Sequence, residues 1–310
     1  MSLLSRPSRR ATGTHQQRPG LIARVRAAWH DDARRDRVPL WVADTVGWTP
    51  IVGTIGLGVV YLLSRPTYYA VLREDHSVEW LQFALLLFTG LLALLAARRT
   101  LRQGWLVPVL LLVLALGALG LAGEEISWGQ RAFAFGTPEA LAAVNQQAEV
   151  NVHNVNVGGL RLQRAFKFVS FLLAVAGLVL AWRTRGPGRV LQGRFWEAVA
   201  VPIYTVVGSL TMIGYWAVIM VAPLNPVVRY QEWAEASLYL SLTATAYAIA
   251  TRSLGVVGSG RIDSGRPARE PRDVAVLVAL GVSVALTLVL AALTAYHGII
   301  PLNAREGMGS

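Results

Sequence analysis

The sequence predicts an all-α fold: a polytopic membrane helix bundle of about seven transmembrane helices, with the N-terminus cytoplasmic and the C-terminus outside. Three observations predict it. Of the 310 residues, 54% are hydrophobic and only 15% charged, against about 25% charged in an ordinary soluble domain. The apolar residues gather in blocks long enough to cross a bilayer. The cations gather between alternate blocks, the pattern that marks the cytoplasmic side of a membrane protein.

The apolar runs cover about 46–64, 78–97, 105–123, 166–183, 197–222, 233–251 and 274–297. They divide the chain into a basic tail over 1–40, a membrane domain over 41–298 and an outer tail over 299–310. With seven spans, four arginine-bearing segments fall on one side. These are the N-terminal tail, the link with Arg98, Arg99 and Arg102, the loop with Arg183, Arg185, Arg189 and Arg194, and the loop with Arg252, Arg261, Arg266, Arg269 and Arg272. The opposite side carries Glu74, Asp75, Glu79, Glu124, Glu125, Glu139, Glu149, Glu232 and Glu235. Trp41, Trp48, Trp105, Trp182 and Trp196 fall at the inner ends, and Trp80, Trp128 and Trp233 at the outer ends. That is an aromatic belt at both interfaces. The expected location is a bacterial cytoplasmic (inner) membrane.

Local features refine this layout. No apolar run follows the first arginines, so the N-terminus does not read as a signal peptide. Leu21, Ile22, Val25 and Trp29 recur at helical spacing with Arg24 and Arg26 between them, which predicts a short helix on the inner leaflet, ended near Pro39. The Gly-, Ser- and Arg-rich stretch 255–272 predicts a flexible loop. Gly53, Gly56, Gly58, Gly117, Gly120 and Gly123 are candidates for close helix contacts, and Pro108 and Pro202 for kinks.

Composition excludes several classes. There is no cysteine, hence no disulfide, thiolate zinc site, iron–sulfur cluster or cysteine nucleophile. Lys167 is the sole lysine, so no Schiff base forms in the last span and a retinal photoreceptor is excluded. The net charge of +11 reads as positive-inside topology and contact with anionic lipid at the cytoplasmic face, not as nucleic-acid binding. Gly208 and Ser209 are adjacent, which does not fit the spaced Gly-x-Ser of rhomboid-type serine proteases. No HxxxH or HxxxD accompanies the later spans, as the zinc hydrolases related to alkaline ceramidases would require.

The outer face concentrates the polar chemistry. The longest outer connection begins GEEISWGQR (123–131) and continues through TPEAL (137–141) to NQQAEVNVHN (145–154). Glu124 and Glu125 directly follow an apolar run, where a carboxylate needs partners, water or a cation. Thr137 and Pro138 predict a helix start, with helix to about Ala148 and extended chain beyond. Asn145, Gln147, Glu149, Asn151 and His153 alternate with Ala148, Val150 and Val152, the period of an extended segment, while Asn145, Glu149 and His153 also share one face in helical spacing; in either form Glu149 and His153 point the same way. Glu74, Asp75, His76 and Glu79 open the second span, and Arg229, Glu232 and Glu235 open the sixth. Glu124, Glu125, Glu149 and His153 are therefore candidate catalytic groups. Glu79, Trp128, Gln130, Arg131, Asn151, Asn154, Arg229, Glu232 and Glu235 are candidate substrate or network residues. Carboxylates with imidazole suit a divalent metal ion, with Glu125, Glu149 and His153 as the candidate ligands. The same acids can instead pair with Arg131, Arg161, Arg164 and Arg229.

The acidic opening at Glu74, Asp75 and Glu79, followed by EEISWGQR (124–131), TPE (137–139) and the N-x-Q-x-E-x-N-x-HN string (145–154), resembles a family of bacterial polytopic membrane proteins. The resemblance spans roughly 73–156. It implies no activity, but it groups Glu124, Glu125, Trp128, Gln130, Arg131, Glu149, Asn151, His153 and Asn154 as one unit.

Three functions compete at this point. One is a metal-dependent membrane enzyme acting on a lipid or isoprenoid. The second is a non-catalytic subunit or assembly factor of a larger membrane protein complex. The third is a transporter, although transporters keep polar groups near the midplane and these acids sit at span ends.

Overall fold

A computed structural model describes residues 20–73, 76–101, 104–145, 147, 149–257 and 271–297. The basic segment before Gly20, Glu74 and Asp75, the arginine-rich loop 258–270 and the tail 298–310 lie outside the described residues. The order is α1 (Leu21–Asp36), α2 (Leu40–Leu63), α3 (Arg65–Val71), α4 (Ser77–Thr100), α5 (Leu106–Glu125), α6 (Gln130–Phe133) and α7 (Glu139–Ala142). A hairpin of β1 (Asn156–Val157) and β2 (Leu160–Arg161) follows. Then come α8 (Leu162–Thr184), α9 (Arg194–Val199), α10 (Val206–Val221), α11 (Asn225–Val257) and α12 (Pro271–His297).

Among the described residues, six helices are long and apolar enough to cross a membrane: α2, α4, α5, α8, the stretch Ile203–Val221 and α12. The chain is thus a multi-pass membrane protein. The stretch 233–251, expected as a further span, lies inside α11. That helix differs in kind. Arg229, Glu232, Glu235 and Arg252 lower its hydropathy, and Ser237, Ser241, Thr243 and Thr245 are buried along it. Its flanks pack against α2, α4 and α10. The outer helices instead display Leu and Val outward, as on α5 at Val109, Val113 and Leu116.

With lipid on the outside, packing and interhelical hydrogen bonds hold helices together. Thr89 of α4 meets Thr243 of α11 hydroxyl to hydroxyl at 2.8 Å. Gln82 donates to the Glu232 carbonyl at 2.7 Å. Small residues allow the closest approaches. A Cβ on Gly208 would meet the Ser237 carbonyl, and one on Gly90 would come within 2.6 Å of Leu119. Of the glycines singled out from sequence, Gly53 backs onto Trp233 and Gly123 onto Trp128, but Gly56, Gly58, Gly117 and Gly120 face open space. Those four are corrections: a glycine in an apolar run does not reveal its azimuth.

The first helix forms as expected over Leu21–Asp36, with Arg37 left-handed at its end (φ 58°). Its apolar face divides. Leu21 and Ile22 are exposed, whereas Trp29 is buried edge-on against Trp48 (centroids 5.3 Å). Pro108 sits in the first turn of α5 and leaves the helix regular. Pro202 acts more strongly. The run 197–222 is broken between α9 and the single turn Ile203–Thr205. Side chains take up backbone groups at this break, as buried backbone donors and acceptors require. Arg252 donates to the Glu197 and Ala200 carbonyls, both at 2.5 Å, and Asp32 accepts the Ile203 amide at 2.7 Å. Asp36 lies behind them, 2.8 Å from Arg185 and 3.3 Å from Arg252.

Candidate functional site

The α5 helix ends on Glu125, and the chain then turns through three consecutive residues of positive φ: Ser127 (47°), Trp128 (54°) and Gly129 (77°). Ser127 and Trp128 take up a conformation that costs an L-residue energy, and it persists because the surroundings over-determine it. This turn folds the connection 127–161 back over the helix ends. The helix expected over Thr137–Ala148 is only the single turn Glu139–Ala142, preceded by Pro138. The chain ends that turn early because Asn145 competes for the backbone. Its Oδ1 accepts the amides of Gln147 (2.9 Å) and Glu149 (3.2 Å), a local turn favoured by Asn. The extended part is the hairpin, joined by Gly158 and Gly159 at positive φ, the backbone that a two-residue turn requires.

Two carboxylates pin this loop. Glu124 accepts from Trp128 Nε1 at 2.8 Å and from the amides of Val152 (2.6 Å) and His153 (3.0 Å), with His153 Nδ1 at 3.3 Å. Glu149 is buried, pairs with Arg131, and accepts from Ser127 (2.9 Å) and Asn151 (2.8 Å). Amides complete the network. Gln130 donates to Thr137 at 2.7 Å and accepts from the Val150 amide at 2.8 Å, and Asn154 donates to Gln147 at 2.5 Å. Buried polar groups without partners are costly, and in this loop the neighbouring side chains and amides supply partners for Glu124, Gln130, Asn145 and Glu149.

Beneath the loop lies a cavity of about 80 Å³. Its wall includes Glu79 of α4, Glu124 and Glu125 of α5, and Glu232 and Glu235 of α11, with Arg131, Glu149, Asn151, His153 and Asn154 from the covering side. The structure therefore brings ten of the thirteen sequence-selected site residues to one cavity wall. Trp128 and Gln130 support the wall from outside it, and Arg229 does not line it.

No family model, curated protein or solved structure matches this chain. The resemblance noted in the sequence therefore places it in no family, and the chemistry must be read from the side chains themselves.

The metal expectation is not supported. Among the described residues, no group of three His, Asp or Glu side chains is placed to hold a metal ion. Glu149 is spent on Arg131, Ser127 and Asn151, and His153 leans on Glu124 rather than on Glu149 or Glu125. The other two histidines expected on that face, His76 and His297, lie elsewhere. His76 precedes α4 off the cavity wall, and His297 contacts the Ala132 carbonyl at 2.9 Å.

The same geometry divides the candidate catalytic carboxylates. Glu124 and Glu149 are structural clamps of the loop. Glu125 and Glu235 face the cavity from neighbouring helices, with lighter partners: Tyr239 at 3.3 Å from Glu125, and Gln231 at 2.8 Å from Glu235. Sequence reasoning missed Lys167, Gln163, Gln231 and Tyr239, which also line the space. Lys167 carried a signal in being the only lysine. Gln231 stands one turn before Glu235, as a helix partner does.

Proposed function

We propose that the chain is a seven-span bacterial inner-membrane protein, N-terminus cytoplasmic and C-terminus outside, with α11 as the enclosed additional span. Its outer cavity binds the polar head of a lipid or isoprenoid, and Glu125 and Glu235 move protons on that head. The supporting observation is the convergence of carboxylates from α4, α5 and α11 on one space with Lys167 and Tyr239. Excess carboxylate favours a cationic or hydroxylated head over a phosphate. Two carboxyl groups on facing helices suit general acid–base work. Arg131 and Glu149 act as positioning residues that hold the cover in place.

The test compares purified wild-type protein with Glu125→Gln and Glu235→Gln. Native mass spectrometry after extraction in mild detergent identifies co-purified lipid. Loss of one lipid species from both variants, with unchanged thermal unfolding, supports the reading. Identical lipid complements in all three proteins overturn it.

A second reading is a docking surface for a larger membrane complex. It draws on Phe133, Phe135, Val152 and Val157, which the cover exposes. A single monodisperse monomer from native-membrane extraction sinks that alternative.

A further inference from the structure

At the opposite ends of α5, α8 and α11 lies a second and much larger cavity, of about 1160 Å³. Its size is at the upper end of small-molecule sites. Five arginines line it, Arg35, Arg185, Arg189, Arg194 and Arg252, against the two carboxylates Asp36 and Glu197. The acids do not neutralise this set. Asp36 is shared between Arg185 and Arg252, and Asp32, behind the wall, stands 3.5 Å from Arg185 and 3.8 Å from Arg35, which still leaves cations in excess. Glu197 stands 3.7 Å from Arg189 with both side chains well exposed, a pairing worth little. Arg194 has no ion-pair partner among the described residues. Arg185 is 6% exposed, and among the described residues its buried Nε has no hydrogen-bond partner.

The rest of the wall is of another kind. Trp105, Leu106 and Val107 at the start of α5 and Phe195 and Trp196 of α9 supply aromatic and aliphatic surface. Leu106 continues into the outward face of α5 formed by Val109, Leu110, Val113 and Leu116. A polar head in the cavity would therefore leave acyl chains an exposed apolar track along α5.

We infer that this cavity is a binding site for a phosphate-bearing amphiphile, with Arg189 and Arg194 as its accessible phosphate contacts. Guanidinium groups bind phosphate through paired, charge-assisted hydrogen bonds. The aromatic rim suits the boundary between headgroup and chain. The site shares no residue with the outer cavity and does not depend on the role proposed there. It is also more specific than the general attraction of a basic face to anionic lipid, because it predicts a bound molecule that survives delipidation.

The experiment uses the full chain in detergent. Phosphatidylglycerol, phosphatidylcholine and inorganic diphosphate are each titrated while thermal unfolding and native mass spectra are recorded. The variants are Arg189→Gln and Arg194→Gln, alone and together, which leave the buried Asp36 network untouched. Expected is a rise in unfolding temperature and retained copies with phosphatidylglycerol, with affinity at least tenfold weaker in the double variant, a loss of about 1.4 kcal/mol or more. Diphosphate that stabilises the wild type alone, and not the double variant, supports the phosphate site and assigns it a soluble source. Equal responses to phosphatidylglycerol and phosphatidylcholine, with none to diphosphate, overturn the inference. So does an unaltered response in the double variant. Unchanged behaviour of Glu125→Gln in this assay keeps the result separate from the outer cavity.

Discussion

Arg252 and Asp32 hold the two sides of one backbone break. Arg252 takes the carbonyls of Glu197 and Ala200, and Asp32 takes the amide of Ile203 three residues further on. The residues come from α11 and α1, 220 positions apart in the chain. Removing Arg252 would strand two carbonyls and leave Asp36 with one cation fewer. Arg252→Leu is expected to cost about 3–5 kcal/mol, the usual result of unpairing a buried ion. Denaturant titration in detergent reads this. A loss under about 1 kcal/mol would mean the break is held by other groups.

The pair of Arg131 and Glu149 makes a comparable prediction at the other end. Glu149→Gln and Arg131→Gln should each loosen the cover by about 2–5 kcal/mol. The double variant should lose less than the sum of the two, with a coupling of at least about 1 kcal/mol. Limited proteolysis of the 127–161 connection reports the opening. Strictly additive losses would show that the two side chains act independently.

Glu124 and Glu125 are neighbours with opposite expected behaviour. Glu124→Ala removes the acceptor of two loop amides and the Trp128 indole, so cleavage within 149–154 should rise several-fold. Glu125→Gln touches only Tyr239 among the hydrogen bonds described and should leave cleavage unchanged. Hydrogen exchange over the same segment checks both.

Glycine position separates packing from exposure. Gly208→Leu and Gly90→Leu should destabilise by about 1–3 kcal/mol through overpacking, because each glycine backs onto a neighbouring helix. Gly117→Leu and Gly120→Leu face open space and should be neutral within about 0.5 kcal/mol. Comparable losses at all four positions would refute the helix azimuths described.

Asp36 gives a pH signature. Burial lifts its carboxyl above the ordinary carboxylate range, and Arg252 and Arg185 offset this only in part, with Asp32 adding repulsion. The folded state then binds the proton more tightly than the unfolded state does. Its contribution to stability is complete below the unfolded value of 3.8 and is lost as pH rises through the folded value. Wild type should therefore exceed Asp36→Asn by most near pH 4, and the gap should shrink toward neutrality. A gap that widens with pH would reverse the assignment.

The helices were legible because hydropathy is a local property. Among the described residues, six of the seven apolar runs reappear as apolar helices, with starts displaced by up to six residues at Leu40 and Ile203. The seventh was legible as a run but not as an interior helix, because its hydroxyls and end charges signal enclosure only when neighbouring helices are known. The single turn at Glu139–Ala142 was overestimated from Thr137 and Pro138, since the competing Asn145 turn depends on where Glu149 and Asn151 are held. The site beneath the 127–161 connection was half legible. Its residues could be selected as acids at span ends, but selection could not rank them.

By itself the sequence determined that the chain lives in a membrane, roughly where its apolar helices run, and which polar residues gather at each end. Tertiary structure alone decided that Glu124 and Glu149 are clamps while Glu125 and Glu235 face a cavity, and that Arg35, Arg185, Arg189, Arg194 and Arg252 surround another. The reason is range. Burial preference is written residue by residue, whereas the partner of a charge is set by which helix face turns toward it across distances of a few ångströms, between positions far apart in the chain.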